Sequence, residues 1–314
     1  MLSDKTKNVS EETTSSQSPN KDQQSDEKSA YVLVTPVRNE KLFVGRTIQS
    51  VLNQTILPRE WIIVSDGSTD NTDSIIETAI QAYPWIRLIK LPQREHPSFA
   101  AVVENTTLGI DQLSIDNYDF IGLLDSDLEF QTDYFELLLE EFDEDPKLGL
   151  AGGVAIDIGL PKNQIPRNKQ DVPGALQFFR RTCFESLGGL IAIPEGGWDC
   201  LSCTVARMNG YKTKLVTNLI VDHLKPRNTT QGSKLRRIWQ MGVRDYALGY
   251  HPLFEFVKCL GKYRSNPPLL AAFVWWLGYC HATIQSRERI VPKEIVEFAR
   301  SEQLLRLRRT LKFS

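Results

Sequence analysis

The chain has 314 residues, of which 41% are hydrophobic and 24% charged, values that are typical of a globular protein and exclude a mainly disordered or fibrous one. The formal net charge of −2 is unevenly distributed, because residues 232–314 carry 15 Lys+Arg against 6 Asp+Glu and leave the front part acidic. We therefore expect no nucleic acid as main partner, whereas the basic end suits either an anionic membrane surface or plain solvent.

Residues 1–29 contain almost no apolar side chains, so they bury too little surface to offset the entropy of ordering and are predicted to be a disordered tail. The five cysteines are odd in number, and no signal peptide is recognised before them, which predicts a reducing, cytoplasmic setting. Cys200 and Cys203 form a C-x-x-C pair, but no second pair lies at metal spacing. We expect two reduced thiols on a helix rather than a zinc site.

Residues 30–230 alternate between short apolar runs and helical patterns. The predicted strands are Tyr31–Thr35, Trp61–Val64, Ile86–Leu91 and Phe120–Leu124. Apolar residues at helical spacing predict crossover helices over 44–52 and 75–80. The alternation indicates βαβ units, and therefore a Rossmann-like α/β domain with a mostly parallel central sheet.

The second half of the chain has fewer regular patterns. Gly159–Pro173 is rich in Gly and Pro and is predicted to be a mobile loop that acts as a lid. A helix is predicted from Asp199 to Asn209 and a strand over Lys212–Val221. Residues 231–314 are predicted to be a helical, basic C-terminal extension, whose apolar run Leu269–Tyr279 is shorter than the roughly 20 residues of a spanning helix. That run predicts core packing or interfacial binding.

Two carboxylates, Asp125 and Asp127, directly follow the predicted strand Phe120–Leu124. Ligands of open α/β sheets bind at the carboxyl ends of the strands. Carboxylates one residue apart on a turn can hold a hard divalent cation, which neutralises a diphosphate. The alternative is a helix N-cap followed by acidic residues of the first turn.

Polar residues also follow the first two predicted strands. Asp66 can accept the N–H of a base, or it can belong to an Asx turn. Asn39 and Glu40 can hold ribose hydroxyls, or they can form a turn into the next helix. No glycine-rich dinucleotide motif follows the first strand and no Walker motif occurs, so both of those nucleotide sites are disfavoured.

Two later residues are candidates for chemistry. Asp199 follows Gly196, Gly197 and Trp198 at a predicted helix start, where apolar neighbours would suit a general base. Its alternative is a helix N-cap. His223 follows the predicted strand Lys212–Val221 and can add a nitrogen ligand to a carboxylate metal site, although a lone His is more often structural.

Five strings, in this order and spacing, resemble the family-2 glycosyltransferases, which adopt the GT-A fold. They are Val34-Thr-Pro-Val-Arg-Asn-Glu40, Ser50-Val-Leu-Asn-Gln-Thr55, Ile62-Ile-Val-Ser-Asp-Gly-Ser-Thr-Asp-Asn-Thr72, Asp125-Ser-Asp127, and Gly196-Gly-Trp-Asp199 with Gly210-Tyr211 after it. The resemblance covers about residues 31–230.

The resemblance implies a metal-dependent, inverting hexosyltransferase. A nucleoside-diphosphate sugar would be bound by Thr35, Pro36, Arg38, Glu40, Asp66 and Asp125. Mg²⁺ or Mn²⁺ would be held by Asp125, Asp127 and His223. Asp199 would be the catalytic base, and the acceptor would be a saccharide or lipid-linked acceptor in surface polysaccharide assembly.

The sequence departs from the family pattern at two places, which affects the expected nucleotide contacts and the expected mode of synthesis. Many members have two consecutive Asp residues where this chain has Ser65 and Asp66, so contacts to the nucleotide can differ. Processive members usually carry a Q-x-x-R-W string, whereas this chain has Arg-Arg-Ile-Trp-Gln over 236–240, so a processive synthase is not expected. The location would be cytoplasmic, with peripheral contact to the inner face of the membrane.

Two other functions are left open by the residues. A sugar-nucleotide nucleotidyltransferase shares a similar fold, but it would need a glycine-rich, basic loop that Thr35–Arg46 lacks. An inactive scaffold that binds a sugar nucleotide is the other alternative, against which the carboxylates at 66, 125, 127 and 199 argue.

Overall fold

The computed structural model describes residues 29–94, 99–162, 165–166, 168–225, 234–261 and 269–312. The predicted disordered tail lies outside the described residues except for its last residue. The elements in chain order are β1 (Tyr31–Val37), α1 (Val44–Leu52), β2 (Glu60–Asp66), α2 (Thr72–Ile80), β3 (Ile86–Leu91), α3 (Phe99–Asp111), β4 (Phe120–Leu124), β5 (Leu128–Glu129), α4 (Tyr134–Glu144), β6 (Leu148–Asp157), β7 (Leu176–Arg180), α5 (Arg181–Ser186), α6 (Trp198–Met208), β8 (Lys212–His223), α7 (Lys234–Ala247), α8 (Pro252–Leu260), α9 (Leu270–Ile284) and α10 (Lys293–Lys312).

One eight-stranded sheet has the order β3-β2-β1-β4-β7-β6-β8-β5. The first four strands in sequence pair in parallel, with Val34 opposite Ile62 on one side and Leu123 on the other. The α/β fold with a mostly parallel central sheet is therefore confirmed. Three strands were not anticipated: β7 runs antiparallel to β4 and β6, β6 pairs in parallel with β8, and β5 pairs antiparallel with β8.

Helices cover both faces of the sheet. β1 and β2 are buried almost throughout, as expected of parallel strands covered on both sides. Alternate residues enter different cores, because successive side chains of a strand point to opposite faces. Leu33 and Ile63 pack in one core with α1, α2 and α4, whereas Val34 and Ile62 pack in the other against α3, and α5 and α6 continue that core.

The C-terminal extension is helical, as expected, and it packs against the sheet domain through α6. Leu201 and Val205 of α6 share an apolar cluster with Leu248 and Val296. Beside this cluster, Arg207 donates to the carboxylate of Glu302 on α10, with Nε 2.8 Å from Oε1. The boundary predicted at residue 230 lies within 226–233, outside the described residues.

Two glycines allow α7 and α9 to cross at backbone contact. A Cβ on Gly242 of α7 would lie 2.1 Å from the carbonyl oxygen of Trp275, and one on Gly278 of α9 would lie 2.3 Å from that of Trp239. Any larger residue would force the two helices apart.

The apolar run Leu269–Tyr279 lies mostly in α9. Gly278 and Tyr279 are buried, while Phe273 is 58% exposed. No helix within the described ranges is long and apolar enough to cross a bilayer. The run therefore combines core packing with an exposed apolar side.

Candidate active site

The carboxyl ends of β1, β2 and β4 surround a cavity of about 260 Å³. Parallel strands end at the same edge of a sheet, so the polar residues that follow them converge there. The cavity is lined by predicted site residues together with Asn105 and Lys225. Those predicted residues are Pro36, Arg38, Glu40, Asp66, Asp125 and Asp127.

Asp66, at the end of β2, is held by two guanidinium groups. Arg38 Nη1 lies 3.2 Å from one carboxylate oxygen and Arg94 Nε lies 2.7 Å from the other. Arg94 also donates to the side-chain oxygen of Asn105 at 2.9 Å. Hydrogen bonds to Glu104 and Asp66 raise the pKa of Arg94. The carboxylate of Asp66 is thus held in one orientation from both sides.

The loop after β1 is tied to the loop after β2. Asn39 has a left-handed φ of 54°, which Asn tolerates better than most residues, and its side-chain oxygen accepts from the backbone N–H of Thr69 at 2.8 Å. The N–H of Glu40 donates to the Thr72 hydroxyl at 2.8 Å. The turn predicted there as an alternative exists, and it places the side chain of Glu40 in the cavity.

Glu40 pairs with Lys225, which follows β8. Burial raises the pKa of Glu40, and the hydrogen bond from Lys225 opposes that rise. Lys225 was missed because nothing in the sequence links it to a residue 185 positions earlier.

Thr35 differs from the other residues of its string. It is buried, and its hydroxyl accepts the indole N–H of Trp61 at 2.9 Å instead of lining the cavity. A contact between its hydroxyl and a nucleoside remains a prediction and would require this hydrogen bond to be shared or broken.

Asp125, Asp127 and His223 form a cluster that could hold a metal ion. Each offers one ligand atom, and these atoms all lie within 4.8 Å of one another. The antiparallel pairing of β5 with β8 places Leu128 opposite His223, and the N–H of Leu224 donates to the backbone oxygen of Asp127 at 2.8 Å. Strand pairing thus brings together residues almost a hundred positions apart.

The imidazole of His223 is buried between two carboxylates. Its Nε2 lies 3.7 Å from Asp127 Oδ2 and its Nδ1 lies 3.5 Å from Asp157 Oδ1. Nδ1 has no hydrogen-bond partner among the described residues. The other ring nitrogen, Nε2, is on the side of Asp127, and one imidazole with the carboxylates of Asp125 and Asp127 forms a ligand set that divalent metals accept. Asp157 was not anticipated from the sequence.

Asp199 faces a second, larger cavity of about 820 Å³. Asp125 and His223 line the same cavity, so the candidate base and the candidate metal ligands face one space. Gly197, with a left-handed φ of 95°, is the N-cap of α6, and Asp199 lies in the first turn. Its Oδ2 accepts the N–H of Gly174 at 3.1 Å. Asp199 is therefore not the N-cap of α6, because Gly197 occupies that position.

The two cysteines of the C-x-x-C pair lie on α6, and all five cysteines of the chain are free. Burial raises the pKa of both Cys200 and Cys203. The two thiols lie on one helix, as expected, and no disulfide joins them.

The model of the family described as glycosyl transferase family 2 matches residues 32–194. Among curated proteins, the chain is 26% identical over 228 residues to the poly-beta-1,6-N-acetyl-D-glucosamine synthase of Staphylococcus aureus (strain COL), covering 73% of this chain and 49% of that protein. It is 33% identical over 113 residues to the chondroitin synthase of Pasteurella multocida (strain Pm70), covering 36% of this chain and 11% of that protein. The chain spans about half the length of the first of these relatives.

Solved structures show the same fold. TarS 1–349 of S. aureus, in complex with UDP-GlcNAc, has a TM-score of 0.52 at 13% identity over 68% of this chain and 65% of that one. The mannosyltransferase PcManGT from Pyrobaculum calidifontis, in complex with GDP-Man and Mn²⁺, has a TM-score of 0.55 at 17% identity over 90% of this chain and 80% of that one. The matched family model spans more than half of the chain, from β1 to just before α6, so this chain belongs to glycosyl transferase family 2 and has the GT-A fold.

Proposed function

We propose that the chain is an inverting glycosyltransferase that moves a sugar from a nucleoside-diphosphate sugar to a saccharide or lipid-linked acceptor in surface glycan assembly. One observation carries the proposal: Asp199, Asp125 and His223 line a single cavity of about 820 Å³, which borders the nucleotide cavity at Asp125. Base and metal ligands can therefore act on two substrates that meet between them.

In the reaction, Asp199 accepts the proton of an acceptor hydroxyl while that oxygen attacks C1 of the donor sugar. The bond from C1 to the diphosphate oxygen breaks, and its electron pair leaves with the nucleoside diphosphate. Attack from the opposite face inverts the anomeric carbon. The hydrogen bond from Gly174 N–H holds one carboxylate oxygen of Asp199 and leaves the other for the proton.

Asp125, Asp127 and His223 would hold Mg²⁺ or Mn²⁺, with the imidazole favouring Mn²⁺ because Mg²⁺ strongly prefers oxygen ligands. A divalent ion there would neutralise charge that develops on the leaving diphosphate. Pro36, Arg38, Glu40 and Asp66 would bind the nucleoside, since they line the adjoining cavity.

The donor site is tested by thermal unfolding of the purified chain with UDP-, GDP-, dTDP- or CDP-sugars, with and without Mn²⁺. A ligand that binds only the folded state raises its stability. We expect one nucleotide class to raise the melting temperature in a metal-dependent way. No shift with any of the four would count against the proposed function, and a shift without donor hydrolysis or transfer would favour an inactive scaffold.

We further propose that the chain contacts an anionic membrane surface through α8 and α9. Large apolar side chains of α8 are exposed at helical spacing, at positions 253, 256, 257 and 260, and Phe273 of α9 is exposed as well. Phe256 packs against Trp276 at 5.4 Å between ring centroids, which joins the two helices into one apolar face. The five free cysteines fit the cytoplasmic side of a membrane.

The membrane proposal is tested by flotation with vesicles that contain phosphatidylglycerol. Phe273→Glu should reduce binding several-fold, because it puts a charge in the apolar face. Leu57→Glu is the matched control, since Leu57 is 46% exposed but lies outside both helices. Equal flotation of both variants, or none of the wild type at low salt, would remove the membrane from the proposal.

A further inference from the structure

His223 lies between two carboxylates because of the place of its strand in the sheet. β8 runs between β6 and β5, and His223 is opposite Asp157 of β6 on one side and Leu128 of β5 on the other. Residues directly opposite each other on neighbouring strands place their side chains on the same face of a sheet. The strand register therefore brings the carboxylate of Asp157 beside the imidazole, and the turn before β5 brings that of Asp127 to its other side.

The backbone keeps Asp157 next to His223. The N–H of Ile158 donates to the carbonyl oxygen of His223 at 3.0 Å, and the N–H of Leu160 donates to that of Asp157 at 3.0 Å. Both Asp157 and His223 are buried. The sheet and the turn after β6 therefore fix the position of Asp157, and water has little access to the carboxylate and the imidazole.

The two ring nitrogens of His223 face different groups. Nε2 is on the side of Asp127, which belongs to the candidate metal cluster, whereas Nδ1 lies 3.5 Å from Oδ1 of Asp157. Nδ1 is buried and makes no hydrogen bond to any of the described residues. A buried polar atom without a partner is costly. The distance to Asp157 is about 0.5 Å longer than a usual N–H···O hydrogen bond, so a small rotation of the ring closes it.

A metal ion at Nε2 requires a proton on Nδ1. A neutral imidazole carries one N–H, so the nitrogen that binds the ion leaves the proton to the other nitrogen. That N–H then needs an acceptor, and a carboxylate accepts a stronger hydrogen bond than a neutral oxygen does. Asp157 can accept it without losing other contacts, because a carboxylate has about four acceptor sites.

Asp157 lies outside the candidate ligand set. The ligand atoms of Asp125, Asp127 and His223 all lie within 4.8 Å of one another, whereas Asp157 approaches the ring from the side of Nδ1. The two nitrogens of an imidazole point in divergent directions, so a carboxylate at Nδ1 does not reach an ion at Nε2. Any effect of Asp157 on a bound ion therefore passes through the imidazole.

We infer that Asp157 is a positioning residue of the metal site: it accepts the Nδ1–H of His223, fixes the ring with Nε2 toward the candidate metal cluster, and raises the affinity for Mn²⁺. The inference rests on the proposed function, whose metal site it extends. Mg²⁺ strongly prefers oxygen ligands and gains less from the imidazole than Mn²⁺ does. Asp157 therefore increases the preference of the site for Mn²⁺ over Mg²⁺.

The test is Mn²⁺ binding to the purified chain, measured by electron paramagnetic resonance with Mg²⁺ as the competitor. Asp157→Ala should weaken Mn²⁺ binding by about 10–100-fold. Asp157→Asn keeps a neutral acceptor and should lie between Asp157→Ala and the wild type. Mg²⁺ binding should change far less, a difference that a merely structural loss does not produce. Asp222→Asn is the matched control, because Asp222 is next to His223 in sequence but pairs with Lys162 at 3.0 Å.

Pulsed electron paramagnetic resonance adds a signature of the imidazole itself, since a nitrogen ligand couples to the spin of Mn²⁺. We expect this coupling in the wild type. Mn²⁺ binding without it, equal losses of Mn²⁺ and Mg²⁺ binding, unchanged Mn²⁺ affinity in both Asp157 variants, or an equal loss in Asp222→Asn would overturn the inference and leave the carboxylates of the proposed metal site in place. No Mn²⁺ binding by the wild type would remove the metal from the proposed function, and the inference with it. If Asp157→Ala does not fold, as judged by its melting temperature, Asp157→Asn replaces it.

Discussion

The sheet edge at the carboxyl ends of β1, β2 and β4 and the helical wall formed by α7 compensate buried charge in different ways. At the sheet edge, Asp66 is matched by two arginines and Glu40 by a lysine. Around α7, the fully buried carboxylates of Asp245 and Glu255 share one lysine, Lys258, and Arg244 adds one long contact to Asp245. The comparison teaches that each carboxylate at the sheet edge has a cation of its own, whereas the helical region places two buried carboxylates around one lysine. Variants in both regions test this difference, beginning with the largest expected effect.

Asp199 lines the cavity that lies between the sheet edge and α7. Its substitution should have the largest effect on the rate of sugar transfer. Asp199→Asn keeps the acceptor for the Gly174 N–H but cannot take a proton, so transfer should fall by about 10²–10⁴-fold. Transfer kinetics measure this, with the melting temperature as a check on folding. Glu195→Gln, in the same cavity, is the control and should change transfer far less. Turnover of Asp199→Asn within tenfold of wild type would refute the assignment of the base.

Lys258 is central to the helical region, because it pairs with both Asp245 and Glu255, which are fully buried. Lys258→Met leaves two buried carboxylates without their cation and should lower the free energy of unfolding by about 3–5 kcal/mol in urea titrations. Lys293→Met removes a lysine that is 88% exposed and should change it by less than about 0.5 kcal/mol. Similar losses in the two variants would contradict the pairing described here.

At the sheet edge, Asp127→Asn should abolish the metal-dependent part of nucleotide stabilisation. At 100 times Kd, a nucleotide that binds only together with the metal stabilises the folded chain by about 2.7 kcal/mol, which is the size of the expected loss. Thermal unfolding with and without Mn²⁺ measures it. Asp222→Asn is the control, since Asp222 precedes His223 on β8 but pairs with the exposed Lys162. A full metal-dependent shift in Asp127→Asn would exclude Asp127 as a ligand.

The smallest expected effect is a pH dependence. Burial, helped by the nearby Asp245, raises the pKa of Glu255 to about 7 from 4.5. Between these values the folded chain holds a proton that the unfolded chain has released, so stability should fall as pH rises through this window. Urea titrations across that range should show a flatter profile for Glu255→Gln. The exposed Glu294→Gln should leave the slope as in wild type, and an equal change in both variants would contradict the role of Glu255.

The sheet edge could be predicted from the sequence because its residues directly follow apolar strands. Asp66 and Asp125 are read from local strings, and parallel pairing then brings them together. The strand β6 was missed for a physical reason. Its glycines disfavour a strand by propensity, yet a Cβ on Gly152 would lie 2.0 Å from the carbonyl oxygen of Leu176, so this close approach requires glycine.

The helical wall could not be predicted in the same way. Whether Arg244 faces Asp199 depends on how α7 packs against α6 and α9, and no local string encodes that packing. Lys225 and Asp157 were missed for the same reason, since their partners Glu40 and His223 lie far away in sequence. The candidate metal cluster could be predicted only in part. Asp125 and Asp127 form a local motif in the sequence, whereas His223 comes close to them only because β5 pairs with β8.

The crossing of α7 and α9 at Gly242 and Gly278 has a geometric consequence. Where two helix backbones touch, neither can slide or rotate without breaking the contact, so α7 and α9 move as one body. The cavity of Asp199 is lined by Trp239 and Gln240 of α7, so part of its wall is fixed to α9 through this crossing. If the apolar face of α8 and α9 rests on lipid, that wall keeps a constant position relative to the membrane surface.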